Sequence, residues 1–171
     1  PLSEIFLAAA RGAGQRPNTD FNGDRQEGVG LYQVTQRDGR RCSAAVAYLA
    51  PARARPHLTI VTHAHATRVL VERGRATGVE YVARGRTERV HAADVVLSGG
   101  AVNSPQLLQL SGIGPAALLR QHGIDVVHDL PGVGANLQDH LQIRAVFKVQ
   151  GVQTLNTLAN SLLGKARIGL E

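Results

Sequence analysis

The sequence has 171 residues, of which 43% are hydrophobic and 19% are charged, a balance typical of a soluble globular chain and unlike that of a disordered one. Its net charge of +6 comes mainly from scattered arginines, and aromatic residues make up only 4%, so we expect no nucleic-acid-binding surface. No apolar run approaches the roughly 20 residues of a membrane span, and the lone Cys42 excludes an intrachain disulfide and favours a reducing, cytoplasmic compartment.

The two ends bear on how much of a protein the sequence represents. It contains no methionine, and residues 160–171 have the pattern of an amphipathic helix that stops without a cap. We therefore expect the sequence to be an internal piece of a longer protein.

The first 54 residues predict a mixture of short elements. Residues 2–11 have the pattern of a helix, and residues 31–35 alternate like a strand that an Asp38-Gly39 turn follows. Ser43 is suited to cap a helix through residue 49, which Pro51 should end.

The next segment predicts an antiparallel β-meander. Four short β-rich runs follow one another, at residues 58–62, 67–72, 77–83 and 87–91. Arg-Gly pairs at residues 73–74 and 84–85 separate the later runs as tight turns. Successive strands joined in this way pair with their neighbours in an antiparallel sheet.

A different pattern begins at residue 94. Residues 94–98 form a continuous apolar run typical of a buried parallel strand, and Gly99-Gly100 then leads into a helix that Ser104 should cap. The later predicted elements are a helix at 115–121, a short strand at 125–128, a loop at 131–140, a long strand at 141–149 and the C-terminal helix. Together the elements predict an α/β fold of mixed, α+β character.

The strand–glycine–helix turn around residues 98–105 is a candidate ligand site. Glycines let a ligand approach the backbone closely, and the first amides of a helix are unpaired donors at the positive end of its dipole. Such turns bind nucleotides at the carboxyl ends of parallel strands. An ordinary βα connection has the same pattern, so both interpretations stay open at this point.

Three other patterns are weaker. The stretch GIGPAA at residues 112–117 fits the dinucleotide fingerprint in form only, because a helix precedes it, and a helix end followed by a new helix explains it better. His63 and His65 would share one strand face, but no carboxylate or cysteine cluster joins them to complete a metal site. Asp139 and His140 could form an acid–base pair, yet no activated Ser or Cys accompanies them. We therefore expect no metal site here and assign no catalytic residue.

The stretch GAVNSPQLLQLSGIG, at residues 100–114, resembles the second signature of the glucose–methanol–choline (GMC) flavoprotein oxidoreductases. Three flanking stretches are similar to the choline-dehydrogenase-like branch of that family: GRRCSAAVAYL at 39–49, THAHATRVL at 62–70 and LPGVGANLQDH at 130–140. The similarity extends over essentially the whole chain in the same order. The resemblance implies an FAD cofactor and a small-molecule alcohol substrate.

The resemblance also implies a division of the chain. Residues 1–54 would belong to the substrate-domain or connecting portion, and residues 55–140 to part of a Rossmann-like FAD-binding domain that includes the β-meander. Residues 141–171 would begin the substrate-binding domain.

By the same resemblance, four residues would contact FAD. Ala66 would lie against the adenine ring, where its small side chain and extended backbone allow amide and carbonyl contacts. Ser98, Gly99 and Gly100 would lie beside the ribose or pyrophosphate.

The activity implied is oxidation of a primary alcohol by hydride transfer to the flavin. The family's G-x-G-x-x-G turn and its active-site histidine do not occur in these 171 residues, so we expect this piece alone to be inactive. The sequence does not decide whether the substrate is choline or another alcohol, or whether oxygen or a membrane quinone accepts the electrons. Membrane association and oligomeric state also stay open. The alternatives are a non-catalytic nucleotide-binding or interaction module and, with less support, a basic nucleic-acid binder.

Overall fold

The computed structural model describes residues 2–170 and divides into two compact units, the first ending at Thr62 and the second beginning at His63. The boundaries expected after residues 54 and 140 refer to domains of a larger architecture and stay predictions. No helix within residues 2–170 is long and apolar enough to cross a membrane.

The first unit contains few regular elements. Its helix α1 (Leu2–Gly12) confirms the predicted helix, and a hairpin of β1 (Gln36–Arg37) and β2 (Arg40–Arg41) contains the predicted turn. Asp38 and Gly39 at this turn both have positive φ, the type I′ geometry that matches the twist of paired strands.

Two strand predictions in the first unit are wrong. Residues 31–35 and 58–62 form no strand. A strand is stable only when a neighbour pairs with its amides and carbonyls, and no segment described in this unit lies alongside either run as a strand partner.

The helix predicted after Ser43 also differs from the structure. A π-helical turn (Ala45–Leu49) continues directly into the short helix α2 (Ala50–Ala52), so Pro51 does not end the helical segment. Pro51 lies in the first turn of α2, where its fixed φ suits a helical backbone. The Ser43 hydroxyl accepts only a long hydrogen bond, 3.4 Å from the amide of Val46.

The second unit is built on an antiparallel sheet of three strands in the order β3-β4-β5. Positive φ at Arg73, Gly74, Arg84 and Gly85 closes its two hairpins, and the predicted meander is confirmed from residue 64 onward. Its elements in chain order are β3 (Ala64–Glu72), β4 (Arg75–Ala83), β5 (Arg86–His91), α3 (Gly100–Leu110), β6 (Ile113–Gly114), α4 (Ala116–Gln121), β7 (His128–Asp129), α5 (Leu155–Ala159) and α6 (Leu162–Leu170).

Apart from glycines, the buried residues described in the second unit lie on β3, at the end of α3 and on α4. Val69 of β3, Ser111 at the end of α3, and Ala116 and Leu119 of α4 are all buried. The two-residue strands β6 and β7 pair in parallel and hold the start of α4 close to the end of α3. This packing positions β3 and α3 beside each other, which is the arrangement on which the candidate site depends.

The parallel strand predicted at residues 94–98 is not formed. The segment carries no strand hydrogen bonds, because no described strand lies beside it, and α3 begins at Gly100 rather than near Ser104. A strand needs a neighbouring segment that pairs with its amides and carbonyls, so a buried-strand pattern in the sequence cannot by itself make one.

Two strand predictions nearer the C-terminus need correction. The long strand expected at residues 141–149 is unpaired, with Leu141 95% and Ile143 87% exposed. The short strand expected at 125–128 begins only at His128, where Ile113 provides its partner. The helix expected at residues 160–171 is confirmed in the described part of the chain as α6, and α5 precedes it as an element that was not predicted.

Candidate functional site

One wall of the candidate site is the start of β3. This strand lies at the edge of its sheet, with β4 as its only strand neighbour in the described part of the chain, and Ala66 pairs with Tyr81. The register shifts at Thr67, whose hydroxyl donates to the carbonyl of Glu80 at 3.1 Å. A bulge of this kind bends an edge strand and changes the direction of its side chains. Ala66 therefore lies beside a bulge on an edge strand, with only a methyl group as its side chain.

The opposite wall is the turn into α3. Gly99 is the N-cap of α3, and Gly100 has a φ of +84°, which glycine adopts readily because it lacks a Cβ atom. Ser104 lies inside the helix and not at its N-cap, and its Oγ accepts a hydrogen bond from the Gly99 amide at 2.9 Å. No side chain at the N-cap accepts a hydrogen bond from the first amides of α3. These amides are therefore suited to an acceptor from outside the helix.

A groove of about 510 Å³ lies between these two walls. Three of the four residues predicted to contact FAD line it together, namely Ala66, Ser98 and Gly99, whereas Gly100 is not part of the lining. The other polar lining residues are His65, Asn103, Ser104 and Gln106, and the remainder are apolar. The lining contains no carboxylate, so no fixed negative charge within it opposes an anionic ligand.

Two polar residues that α3 contributes to the groove, Asn103 and Gln106, were not predicted from the sequence. Asn103 and Gln106 line the groove together with Leu107 and Leu110. Their spacing of three, four and seven residues places all four on one face of a helix. That periodicity was the available signal, but it could not show which element the face would meet.

His63 and His65 do not share one strand face as predicted. His63 lies before the strand with a φ of +54°, and β3 begins only at Ala64, so His63 and His65 do not alternate along one strand face. Residues 2–170 contain no cluster of three His, Cys, Asp or Glu side chains that could hold a metal ion.

Asp139 and His140 do not form an acid–base pair either. Oδ1 of Asp139 accepts a hydrogen bond from the backbone amide of His140 at 2.8 Å, and both residues are exposed. The carboxylate thus bonds the local backbone and not the imidazole, which is the usual behaviour of an Asp in a loop.

The GIGPAA stretch is a helix end, as predicted. Ser111 is the C-cap of α3, Gly112 follows with a φ of +81°, and the Gly112 amide donates to the carbonyl of Gln109 at 2.9 Å. Glycine in this conformation just after a helix is a common C-terminal capping arrangement. The stretch therefore explains how the chain turns from α3 towards α4.

A carboxylate on the sheet is paired with two arginines. Glu80 lies 3.1 Å from Nε of Arg68 and 2.9 Å from a terminal nitrogen of Arg89. Hydrogen bonds from Arg68 and then Arg89 lower the pKa of Glu80 below its ordinary value. This ion-pair cluster joins all three strands of the meander that carries Ala66.

Comparison with known proteins identifies relatives of this chain. The sequence profile described as GMC oxidoreductase matches residues 1–142. An alcohol dehydrogenase [acceptor] from Pseudomonas putida is 49% identical over 173 residues, which is 99% of this chain and 31% of that protein. The mitochondrial choline dehydrogenase of Homo sapiens is 49% identical over 172 residues, which is 100% of this chain and 29% of that protein. The chain thus spans about three tenths of the length of these relatives.

Two solved structures share the fold. Pyridoxine 4-oxidase from Mesorbium loti has a TM-score of 0.69 and 36% identity, covering 77% of this chain and 26% of that one. An FAD-dependent oxidoreductase from Chaetomium thermophilum has a TM-score of 0.69 and 31% identity, and the match covers 77% of this chain and 24% of that protein's chain.

Proposed function

Because the chain belongs to the GMC oxidoreductase family, we propose that the protein that carries it is an FAD-dependent oxidoreductase that acts on an alcohol. Within that protein, the groove between β3 and the start of α3 would hold part of FAD. The observation that supports this assignment most directly is the groove itself, because Ala66 lines it together with Ser98 and Gly99, although more than 30 residues separate Ala66 from those two along the chain.

The groove is suited to the nucleotide half of FAD. Its volume of about 510 Å³ is within the range of small-molecule sites, roughly 300–1,000 Å³. Its lining combines apolar side chains with neutral polar groups, and the free amides at the start of α3 suit phosphate or ribose oxygens. A carboxylate in the lining would have opposed a pyrophosphate, and none is present there.

The residues that line the groove have separate roles in this proposal. The backbone of the edge strand at Ala66 would bind the adenine ring, and its methyl group would leave room for that ring. Ser98 and Gly99 would lie along the ribose or pyrophosphate, with Asn103 and Gln106 as additional hydrogen-bonding side chains. When bound, FAD supplies the hydride acceptor for oxidation of the alcohol.

The proposed reaction is hydride transfer from a primary alcohol, with choline or a related alcohol as the substrate. The relatives named above include a choline dehydrogenase and an alcohol dehydrogenase. Because the groove would hold the nucleotide half of FAD and not its reactive ring, a base outside this groove would have to remove the hydroxyl proton. We therefore expect residues 1–171 by themselves to be inactive.

The location of the protein is a further proposal, and the identity of its electron acceptor can be tested directly. We propose a cytoplasmic protein, as the lone Cys42 favours a reducing compartment. Cell fractionation would show whether the protein is also associated with a membrane. Assays with oxygen and with a soluble quinone as alternative acceptors would separate an oxidase from a dehydrogenase.

The test uses the protein at the full length that its gene encodes. The wild type should purify with bound FAD, and addition of choline or simple primary alcohols should bleach the visible absorption of the flavin. Ala66→Leu should raise the dissociation constant of FAD by at least about tenfold, because overpacking in the groove costs roughly 1–3 kcal/mol. Ala93→Leu is the matched control, because Ala93 is exposed and lies outside the groove lining.

Each outcome is informative. A wild-type protein without FAD would contradict the proposed function, and FAD without any alcohol oxidation would favour a non-catalytic nucleotide-binding module. If Ala66→Leu and Ala93→Leu bind FAD equally well, the groove is not the adenine site.

A further inference from the structure

Ser111 joins β3 and α3, the two elements that contribute the walls of the groove. It lies at the C-terminal end of α3 and is only 7% exposed. Its Oγ accepts a hydrogen bond from the backbone amide of Val69 on β3 at 2.8 Å and donates one to the carbonyl of Leu107 on α3 at 2.5 Å. One hydroxyl therefore joins α3 to a residue of β3 that lies 42 positions before Ser111 in the sequence.

The amide of Val69 depends on this contact. Val69 is buried, with 6% of its surface exposed, and β3 is an edge strand, so no second strand is described on the side where Ser111 lies. A buried amide that loses its acceptor costs roughly 1–3 kcal/mol. The hydrogen bond between the Val69 amide and Ser111 therefore holds β3 against the end of α3.

The same contact lies close to the groove. Leu107, which accepts the Ser111 hydroxyl, is itself part of the groove lining, as is the neighbouring Leu110. Val69 follows Ala66 by three residues on the same strand, a distance of roughly 10 Å at the usual rise per residue. A shift of β3 at Val69 would thus move Ala66 relative to α3 and change the width of the groove.

We propose that Ser111 is a positioning residue for the cofactor: its hydroxyl sets the spacing between β3 and α3, and with it the affinity of the groove for the adenosine half of FAD. The proposal rests on the proposed function, since it assumes that the groove holds FAD. Ser111 would not contact FAD itself. It would act through the backbone of β3 on one side and through Leu107 on the other.

The test measures FAD affinity and thermal stability on the same full-length protein. Ser111→Ala removes the hydroxyl, and we expect the dissociation constant of FAD, followed by the fluorescence of released FAD on dilution, to rise about tenfold. Ser111→Thr keeps the hydroxyl and should retain most of the affinity, although its extra methyl group lowers the thermal midpoint by overpacking. If Ser111→Ala does not accumulate as a folded protein, Ser111→Cys replaces it, since a thiol of similar size is a weaker acceptor.

Asp129→Ala is the control for stability. Oδ1 of Asp129 accepts the amide of Ala116 at the start of α4, so its loss destabilises the unit without altering the contact between β3 and α3. The proposal requires that Ser111→Ala weaken FAD binding more than Asp129→Ala does at a comparable loss of thermal midpoint. Equal affinities in these two variants would overturn it. A wild-type protein that binds no FAD would contradict the proposed function instead, so the two failures are distinguishable.

Discussion

Replacing Gly112 with alanine is predicted to destabilise the second unit by roughly 2–5 kcal/mol, the sum of two separate effects. The first is conformational, because Gly112 has a φ of +81°, where an L-residue with a Cβ atom costs roughly 1–2 kcal/mol. The second is steric. An added Cβ would lie 2.8 Å from Cγ2 of Val127 and would also overlap the backbone carbonyl of Asp125.

The steric contact cannot relax easily. The carbonyl of Gly112 accepts the amides of Val127 at 2.8 Å and of His128 at 3.1 Å, so the opposing segment is bound to the same residue that the Cβ would push away. Overpacking of this kind costs roughly 1–3 kcal/mol. The contact should therefore add to the conformational effect and not replace it.

Gly123→Ala provides the matched control. Gly123 follows α4 as Gly112 follows α3, and its φ is +68°, but no atom lies within 4 Å of the position its Cβ would take. It should show the conformational effect alone. In urea denaturation of the full-length protein followed by circular dichroism, the midpoint of Gly112→Ala should be lower than that of Gly123→Ala by roughly 1 M, for a slope near 2 kcal/mol per molar urea. Equal midpoints would refute the steric part of the reasoning.

Three further predictions concern side chains of the second unit. Arg84→Asn should raise the thermal midpoint and stabilise the β4–β5 hairpin by about 0.5–1 kcal/mol, because Arg84 has a φ of +51° and asparagine tolerates that conformation better; an unchanged or lower midpoint would contradict this. Asp129→Ala should lower stability by about 1 kcal/mol, since it removes the acceptor 2.9 Å from the Ala116 amide, and a midpoint equal to the wild type would show that this cap contributes nothing. The paired arginines lower the pKa of Glu80 below its ordinary value of 4.5. The ion pairs therefore stabilise the folded state fully above pH 4.5, and this stabilisation is lost as the pH falls through the lower pKa that Glu80 has in the folded state. Between about pH 6 and pH 3, Glu80→Gln should therefore lose less stability than the wild type, and parallel pH profiles would argue against the pairing.

The elements predicted correctly from the sequence are those determined by nearby residues. The β-meander follows from the short β-rich runs and from the Arg-Gly turns between them, and the residues of these turns have positive φ in the structure. The end of α3 follows from Gly112, which adopts the expected C-terminal conformation. In each case the interacting groups lie within a few residues of one another, so a short window of sequence contains all the information required.

The errors share a different cause. Residues 94–98 and 141–149 have strand-like patterns, but neither has a strand partner in the described part of the chain. The pattern of a strand reflects which faces it can bury, whereas its existence depends on hydrogen bonds to another segment. Ser104 illustrates the same limit on a smaller scale: it has the residue type of an N-cap, yet it lies within α3 and bonds back to Gly99.

The sequence by itself determined the family, through a signature and flanking motifs that match in order, together with the locally specified turns and helix ends. Only the tertiary structure decided which residues share the groove, because Ala66 and Ser98 meet through the packing of β3 against α3 and not through any local pattern. The contact between Ser111 and Val69 was equally invisible, since nothing in a serine at a helix end specifies a partner 42 residues away. Local conformation is encoded by neighbours in the chain, whereas a site between two elements depends on how their apolar faces pack and on which buried polar groups must find partners.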